Sequence, residues 1–342
     1  MKIVIDAMGG DNAPREIVLG ALSAAKDFGV EIVLVGKGEE ILRVLADEKL
    51  ELPPKVEIAD AAEVVEMCDD PATVIREKKN SSMAVGLRMV SEGYGDVFMS
   101  AGSTGALLTG STLLTKRIRG IRRAALGSIL PAREGTGTLL IDCGANVECT
   151  AEYLLQFAYM GSYYAGRMMG KENPRVALLN IGSEPTKGGA LQLETYKLLT
   201  EAHDAGRLNF IGNVEGRDVM ENACDVIVTD GYSGNILLKA IEGMGLFFAK
   251  SLKTMFYKNI GTKLAAALVK DGIDDIKKMM DYNEVGGAPL LGIAKPVFKI
   301  HGSAKAKTVN SAVRNAIKYV GSGIIDSVSE NIDYMKIDLS EK

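Results

Sequence analysis

Short runs of apolar, largely β-branched residues alternate with segments of helical periodicity along the whole chain. The apolar runs predict strands at Lys2–Asp6, Glu31–Val35, Val56–Ala59, Asp96–Met99, Thr138–Asp142, Arg175–Asn180, Asn209–Ile211 and Asp225–Thr229. The periodic segments predict helices at Arg15–Asp27, Pro71–Lys79, Ala151–Gly170 and Ala190–Ala205. Unbroken apolar strands are typical of a sheet covered on both faces. The alternation therefore predicts an α/β fold with a mostly parallel, doubly wound sheet, and without a linker or repeat we expect a single domain over residues 1–342.

The predicted strands end in loops that are rich in glycine and small polar residues. These loops are Asp6–Asp11 (DAMGGD), Ser100–Ala106 (SAGSTGA), Asp142–Asn146 (DCGAN), Asn180–Gly189 (NIGSEPTKGG), Gly212–Asp218 (GNVEGRD) and Thr229–Asn235 (TDGYSGN), with a seventh cluster at Gly286–Lys307. Because ligands bind beyond the carboxyl ends of parallel strands, we expect the loops to form one shared anion-binding crevice. Their backbone N–H groups suit phosphate or an oxyanion, although each single Ser or Asn, taken alone, is more typical of a helix N-cap.

Charge and motif content exclude several function classes. The 342 residues carry 40 Lys and Arg against 44 Asp and Glu, a net charge of −4, which argues against a nucleic-acid partner. Two histidines and four cysteines without paired spacing predict no metal site. A P-loop motif is missing, and Gly36–Gly38 begins only an incomplete dinucleotide fingerprint, so we predict no cofactor. No apolar run reaches the roughly 18 residues of a spanning helix, which predicts a cytoplasmic protein.

One lysine-rich stretch stands out in this acidic chain. Gly243–Lys270 contains five lysines and no acidic residue, and it predicts two amphipathic helices divided at Gly261, within a helical excursion over about residues 243–280. Apolar residues on one side of each helix are candidates for contact with a membrane or an acyl chain: Phe248, Leu252, Phe256, Leu264 and Leu268. A dimer interface or ordinary core packing explains the pattern equally well.

The loops, taken together and in order, resemble those of a known family. DAMGGDNAP, SAGSTGAL, LLIDCGAN, LLNIGSEPTKGG, GNVEGRD, VTDGYSGN, GGAPLLG and HGSAKA are similar to the motifs of the PlsX family of bacterial phosphate acyltransferases, the acyl-carrier-protein:phosphate transacylases. The resemblance extends from Met1 to about Val328. The chain departs from the family pattern at Ser103, where Asn is more usual, and at Ala304, where Ser is more usual.

The resemblance implies a reaction, a fold and partners. The reaction is acyl-ACP plus inorganic phosphate giving acyl phosphate plus acyl carrier protein (ACP), a step that feeds phospholipid synthesis. The implied fold is a three-layer α/β/α arrangement like those of the isocitrate dehydrogenase and phosphotransacetylase families. The resemblance also implies a homodimer that is peripheral to the inner face of the cell membrane.

This chemistry requires a phosphate dianion held beside a thioester and donors for the oxyanion, because phosphate is itself the nucleophile. On the resemblance, the phosphate-binding candidates are Gly9, Gly10, Asp11, Gly102, Ser103, Thr104 and Ser183. The catalytic candidates are Lys187 beside the phosphate and Asn235, His301 and Ser303 at the oxyanion or thiolate. His301 precedes a helix expected to carry Lys305 and Lys307, whose start should lower the pKa of the imidazole; a histidine satisfied in the core is the alternative.

An acidic carrier protein requires a basic docking surface, and the stretch KRIRGIRR has the densest positive charge. Its candidate residues are Arg117, Arg119, Arg122 and Arg123, with a solvated helix end as the alternative. Three other functions remain open: a nicotinamide-dependent dehydrogenase, a short-chain phosphotransacetylase acting on acetyl-CoA, and a non-catalytic membrane scaffold. The incomplete glycine fingerprint argues against the dehydrogenase, and the lysine-rich stretch argues against the short-chain phosphotransacetylase. The number of Gly-rich loops argues against the scaffold.

Overall fold

The computed structural model describes residues 1–133, 137–273 and 286–337. Eleven strands within these ranges form one sheet with the order β3-β2-β1-β4-β11-β10-β5-β6-β9-β7-β8. The strands are β1 Lys2–Asp6, β2 Glu31–Gly36, β3 Val56–Asp60, β4 Val97–Ser100, β5 Ala125–Leu130, β6 Thr138–Ile141, β7 Val176–Asn180, β8 Phe210–Glu215, β9 Val226–Val228, β10 Gly287–Leu291 and β11 Val297–Ile300. All eight predicted strands are therefore present.

Helices cover both faces of this sheet. They are α1 Arg15–Phe28, α2 Gly38–Asp47, α3 Val74–Glu77, α4 Ser82–Ser91, α5 Thr104–Gly110 with a π-helical turn Ser111–Thr115, α6 Ala151–Met169, α7 Ala190–Asp204, α8 Gly231–Phe256, α9 Ile260–Leu268, α10 Ala306–Gly321 and α11 Ile324–Glu330, followed by a 3₁₀ turn Ile332–Met335. One apolar core, with Phe298 and Tyr159, lies under α1, α2, α6, α7, α10 and α11. A second, with Phe98 and Leu87, lies under α3, α4, α5 and the start of α8. The predicted three-layer α/β/α arrangement is confirmed.

The sheet is mostly parallel, but its two halves run in opposite directions. Strands β3, β2, β1, β4 and β11 are parallel to one another, and so are β6, β9, β7 and β8. Between these sets, β10 is antiparallel to both β11 and β5, and β5 is antiparallel to β6. The carboxyl ends of the two sets consequently lie at opposite edges of the sheet. The expectation that all seven loops share one edge is wrong, because the central strands reverse the direction.

Two of these central strands were not predicted, and one predicted helix is much shorter. The apolar pattern of β5 is interrupted by Gly127 and Ser128, and β10 contains Gly287 and Pro289. Glycine and proline are rare inside strands, so neither segment is typical of a strand. The helix predicted at Pro71–Lys79 is reduced to the four residues of α3, preceded by hydrogen-bonded turns.

α8 begins on the sheet and continues beyond the core. Among its residues only Gly231 and Gly234 are fully buried. The break before α9 comes at Asn259, whose side chain accepts the N–H of Thr262, rather than at Gly261, which lies in the first turn of α9. The part of the predicted excursion at 274–280 lies outside the described residues.

We expect Gly234→Ala to destabilise the fold by about 1–3 kcal/mol, because a Cβ there would collide with the carbonyl oxygen of Asp142 and push α8 away from β6. Gly243→Ala, in the same helix with open space around it, is the matched control and should be neutral or stabilising by up to about 1 kcal/mol. Chemical denaturation of both variants measures the difference. Equal stabilities would show that α8 is not anchored at Gly234.

Candidate active site

The loops after β1 and β4 meet in close backbone contact. Asp6 at the end of β1 is buried and accepts hydrogen bonds from Ser100 Oγ at 2.6 Å and from the N–H of Met8 at 3.1 Å. A Cβ on Gly9 would lie 2.6 Å from Asp6 Oδ2 and 2.7 Å from the backbone nitrogen of Gly102, so only glycine fits. Burial raises the pKa of Asp6, and its hydrogen bonds oppose that change.

The loop after β11 joins the same cluster. The N–H of Asp11 donates to the carbonyl of Gly302 at 2.8 Å, and Asn12 Nδ2 donates to the carbonyl of Ser303 at 3.1 Å. Gly10 has a φ of 102° and lies so close to Gly302 that a Cβ would be 2.9 Å from its carbonyl oxygen. The structure therefore brings the predicted glycines and Asp11 together with the segment that carries His301 and Ser303.

Ser103 and Thr104 lie at the start of α5. The hydroxyl of Ser103 accepts the N–H of Ala106 at 3.4 Å, so this side chain caps the helix, and Thr104 is the first helical residue. The N-cap reading is confirmed for Ser103. Its backbone still borders the cluster, since Gly102 directly precedes it.

His301 forms a short local arrangement with Ser303. The N–H of Ser303 donates to Nδ1 of His301 at 3.2 Å, and Ser303 Oγ lies 2.8 Å from the same nitrogen. Because Nδ1 accepts an N–H bond, it is unprotonated, and the proton of the neutral ring is on Nε2. Burial is the main cause that lowers the pKa of His301, and the positive charge of Lys239 lowers it further.

The expected direction of this pKa change is confirmed, but the expected cause is wrong. α10 begins at Ala306, with Lys305 as the residue before it and Lys307 in the first turn, so His301 is five residues before the first helical residue. Turn residues separate His301 from α10. The pKa of His301 is therefore lowered mainly by desolvation of the ring rather than by the start of the helix.

α8 crosses one face of the sheet and links its two edges. It starts beside the loop after β6, where Gly231 N–H donates to the carbonyl of Asn146 at 2.8 Å. Asn235 is exposed and packs against Gly144, while Lys239, one turn later on the same side, pairs with Glu242 at 2.8 Å. The charges of Lys239 and Glu242 act on His301. Lys239 and Glu242 follow Asn235 by four and seven residues, a spacing that places all three on one side of a helix. This spacing could have added the charged pair to the predicted site residues, which included only Asn235 from this helix.

Asp142, after β6, serves the local structure at the opposite edge. Its carboxylate accepts N–H bonds from Leu126 at 3.0 Å, Ala145 at 3.0 Å and Asn146 at 2.7 Å. Burial raises the pKa of Asp142, and these bonds oppose that change. Asp142 therefore acts as an acceptor for N–H groups of its own loop and of β5.

Ser183 and Lys187 also lie at this opposite edge, on the loop after β7. Both are exposed; Lys187 Nζ is 3.9 Å from Glu184, and its stem covers Gly182. β6, β7 and β9 have only three to five residues, so the two edges are about 10–17 Å apart. The structure thus places the Lys187 loop across the sheet from Gly9 and Gly10 rather than against them.

Three of the four candidate arginines are engaged with neighbouring groups. Arg117 donates to the carbonyl of Arg122, Arg122 Nε lies 3.0 Å from Glu152, and Arg123 lies over the ring of Tyr153 at 5.7 Å. The fourth, Arg119, is exposed and makes no hydrogen bond or ion pair with any residue in the described ranges.

The candidate membrane residues are exposed to different degrees. Phe248 is 52% exposed, Leu264 64% and Leu268 88%, whereas Leu252 and Phe256 are half-buried. Within the described part of the chain, no helix combines the length and apolar character needed to cross a bilayer.

We expect the imidazole of His301 to titrate below its usual pKa of about 6.5 and to carry its proton on Nε2 while neutral. The ring is therefore uncharged at pH 7 and becomes charged only as the pH falls through the lowered value. NMR of ¹⁵N-histidine-labelled protein tests this with two signals, since the chain has two histidines, and His301→Gln assigns them. Titration at or above 6.5 contradicts the prediction.

Comparison with solved structures places the fold among the phosphotransacetylases. A phosphotransacetylase from Streptococcus pyogenes aligns with a TM-score of 0.61 at 19% identity, covering 94% of each chain. A branched-chain phosphotransacylase from Enterococcus faecalis aligns at 0.59 with 15% identity, covering 94% of this chain and 100% of the other. A 4-hydroxythreonine-4-phosphate dehydrogenase from Klebsiella pneumoniae aligns at 0.53 with 14% identity, covering 94% and 98%. The expected resemblance to phosphotransacetylases is confirmed at the level of the fold.

Sequence comparison is more specific. A family model described as "Fatty acid synthesis protein" matches residues 1–327. A phosphate acyltransferase from Thermoanaerobacter pseudethanolicus is 46% identical over 341 residues, covering 99% of this chain and all of the relative. One from Bacillus licheniformis is 43% identical over 333 residues, covering 97% and 98%. The chain therefore belongs to the phosphate acyltransferase family and is an acyltransferase enzyme.

Proposed function

We propose that the enzyme transfers an acyl group from acyl-ACP to inorganic phosphate, with phosphate as the nucleophile. The observation that carries this proposal is the meeting of the loops after β1, β4 and β11 beside a neutral His301. The glycines bring the backbones of these loops close together, which gives a concave surface without large side chains for an anion, and they leave no room for a side-chain nucleophile at Gly9.

In the proposed reaction, a phosphate oxygen attacks the thioester carbonyl carbon of acyl-ACP. A C–O bond forms and the C–S bond breaks, and the electron pair leaves with sulfur. The thiol of the ACP prosthetic group has a pKa near that of cysteine, about 8.5, so it departs readily as a thiolate and takes up the proton that phosphate loses. The products are acyl phosphate and ACP, without a covalent enzyme intermediate.

Donors around the carbonyl would stabilise the tetrahedral oxyanion. Nε2–H of His301 is suited to this because Nδ1 is held by Ser303, which fixes the ring orientation and tautomer. The exposed amide of Asn235 lies one turn before Lys239, which faces the same histidine. Gly9, Gly10, Asp11, Gly102 and Thr104 remain the proposed phosphate site.

Ser183 and Lys187 are proposed to serve the same reaction from the opposite edge. The edges are about 10–17 Å apart along the strands, and β7 also lies five strands away from β11 in the sheet order, so the proposal requires the extended acyl-ACP substrate to connect the two loops. Lys187 is suited to this because its partner Glu184 is 3.9 Å away and both groups are exposed to solvent, which makes the pair weak.

Two surfaces outside the site are suited to a membrane and to the carrier protein. Phe248 and Leu264 are exposed on α8 and α9 together with several lysines, a combination that suits the surface of an anionic membrane. The lysines are Lys250 and Lys253 on α8, Lys258 between the two helices and Lys263 on α9. We propose that this helix pair holds the enzyme peripherally at the inner face of the cell membrane, with a homodimer presenting two such pairs. Arg119 and its neighbouring arginines are proposed to receive the acidic carrier protein.

We expect free thiol to be released from palmitoyl-ACP only when inorganic phosphate is present, with an acyl phosphate that hydroxylamine traps. A thiol-reactive dye measures the rate. Release without phosphate would indicate a thioesterase, and preference for acetyl-CoA as donor would indicate a short-chain phosphotransacetylase.

Within the same assay, Lys187→Ala should raise the KM for phosphate more than the KM for acyl-ACP, by about tenfold if a charged contact is lost. Lys197→Ala, an exposed lysine on α7 paired with Glu201 at 3.8 Å, is the matched control and should leave both constants unchanged. A larger effect on the KM for acyl-ACP would show that Lys187 does not bind the phosphate.

We expect the double variant Phe248→Ser/Leu264→Ser to lose most of its binding to phosphatidylglycerol vesicles while keeping its rate on soluble acyl-ACP, because the apolar contact with the bilayer is lost. Vesicle flotation measures binding. Leu42→Ser, at a leucine that is 54% exposed on α2, is the control. Unchanged flotation together with dissociation to monomers would instead identify the helix pair as a subunit interface.

A further inference from the structure

Lys299 is a lysine in the middle of the sheet that the proposed mechanism has not used. It lies on β11, the fifth of eleven strands in the sheet order, next to Ser100 of β4. Residues alternate in direction along a strand, so Lys299 shares a face with Val297 and points into the core under α4, α5 and α8. Lysine is rarely buried unless a specific interaction requires it.

The ammonium of Lys299 lies where the three loops of the phosphate site meet. It donates to the carbonyl of Ala101 at 3.1 Å and to the carbonyl of Ile300 at 2.5 Å. The Ala101 carbonyl is also 3.5 Å from the Cβ position of Gly10 and 3.9 Å from that of Gly302. One cation thus ties the loop that begins at Ala101 to the end of β11.

Two of the three ammonium protons are used, and the charge is not neutralised by direct contact. Within residues 1–133, 137–273 and 286–337, Lys299 makes no third hydrogen bond and no carboxylate lies within 4.0 Å of its Nζ. Asp6 and Asp11 are near enough to favour the charged form, and burial opposes it, lowering the pKa of Lys299 to about 8. Lys239 of α8 adds a like charge to the surroundings.

We propose that Lys299 is a phosphate-positioning residue: its ammonium fixes the loop after β4 against the loop after β11 and directs its remaining proton to an oxygen of the bound phosphate. This inference rests on the proposed function, because it takes the anion at these loops to be the nucleophile. A half-buried cation there strengthens the hold on a dianion more than a fully exposed lysine would, since less water screens it.

The test compares Lys299→Met and Lys299→Gln in the phosphate-dependent release of thiol from palmitoyl-ACP. We expect both variants to raise the KM for phosphate about tenfold or more while the KM for acyl-ACP changes little, because each removes the charge. Lys318→Met, at an exposed lysine of α10, is the control and should behave as the wild type. Recovery of wild-type KM for phosphate by Lys299→Gln would overturn the proposal, since a neutral tether would then suffice.

The pH profile gives a readout that a purely structural role would not move. In the wild type, affinity for phosphate should be greatest while Lys299 is charged and should fall as the pH rises through about 8. The groups that face Lys299 are Asp6, Asp11, His301 and Lys239, and none is changed in Lys299→Met, which should lack this fall. An identical alkaline fall in both proteins would overturn the proposal.

Amine labelling of the wild-type protein keeps the test independent of how the variants fold. Reductive methylation followed by peptide mass spectrometry should label Lys299 more slowly with saturating inorganic phosphate than with chloride at equal ionic strength, while Lys318 is labelled equally in both. Equal labelling of Lys299 would overturn its role. Wild-type enzyme without phosphate-dependent thiol release would instead refute the proposed function itself.

Discussion

Gly234 of α8 packs directly on the carbonyl of Asp142, so the helix begins in contact with the end of β6. Asp142 in turn holds its own loop through backbone N–H groups, which fixes the point from which α8 starts. From there the helix runs back across the sheet, because a crossover helix lies antiparallel to the strand it follows. In this sheet the opposite edge is where β1, β4 and β11 end. The reversal of strand direction at β10, β5 and β6 therefore brings α8 to His301.

The loops at that edge are assembled around backbone contacts rather than large side chains. Gly9 and Gly10 allow the loop after β1 to touch the backbone at Gly102 and Gly302. Hydrogen bonds inside the cluster hold this arrangement, since the N–H of Asp11 donates to the carbonyl of Gly302 and the N–H of Gly102 donates to Ser100 Oγ. Asp6 is buried, whereas Lys299 and His301 are half-buried, and desolvation raises the pKa of Asp6 while it lowers the pKa of Lys299 and His301. Desolvation thus favours the uncharged form of all three side chains.

The secondary structure could be predicted from the sequence more completely than the way in which the loops come together in the site. Apolar runs predicted eight strands because such runs are a local property. The direction reversal depends on β5 and β10, where Gly127 and Pro289 interrupt the pattern, so one crevice was expected where the sheet has two edges. Lys299 escaped notice because it lies inside an apolar run, VFKI, and only the pairing of β11 with β4 shows what its ammonium meets. The cap formed by Ser103 was one of two readings that residue type alone left open.

The same helix that reaches the catalytic candidates also carries the exposed apolar surface. The charge of Lys239 acts on His301, and Phe248 follows nine residues later, about 14 Å farther along the helix axis. Between them the helix leaves the core, since residues beyond Gly234 are at most half-buried. On the proposed function, an acyl group that reacts beside Lys239 would therefore be one helix segment away from the exposed apolar surface proposed to contact a bilayer. Because α8 is continuous from Gly231 to Phe256, its anchoring at Asp142 sets the positions of both Lys239 and the exposed apolar end of the helix.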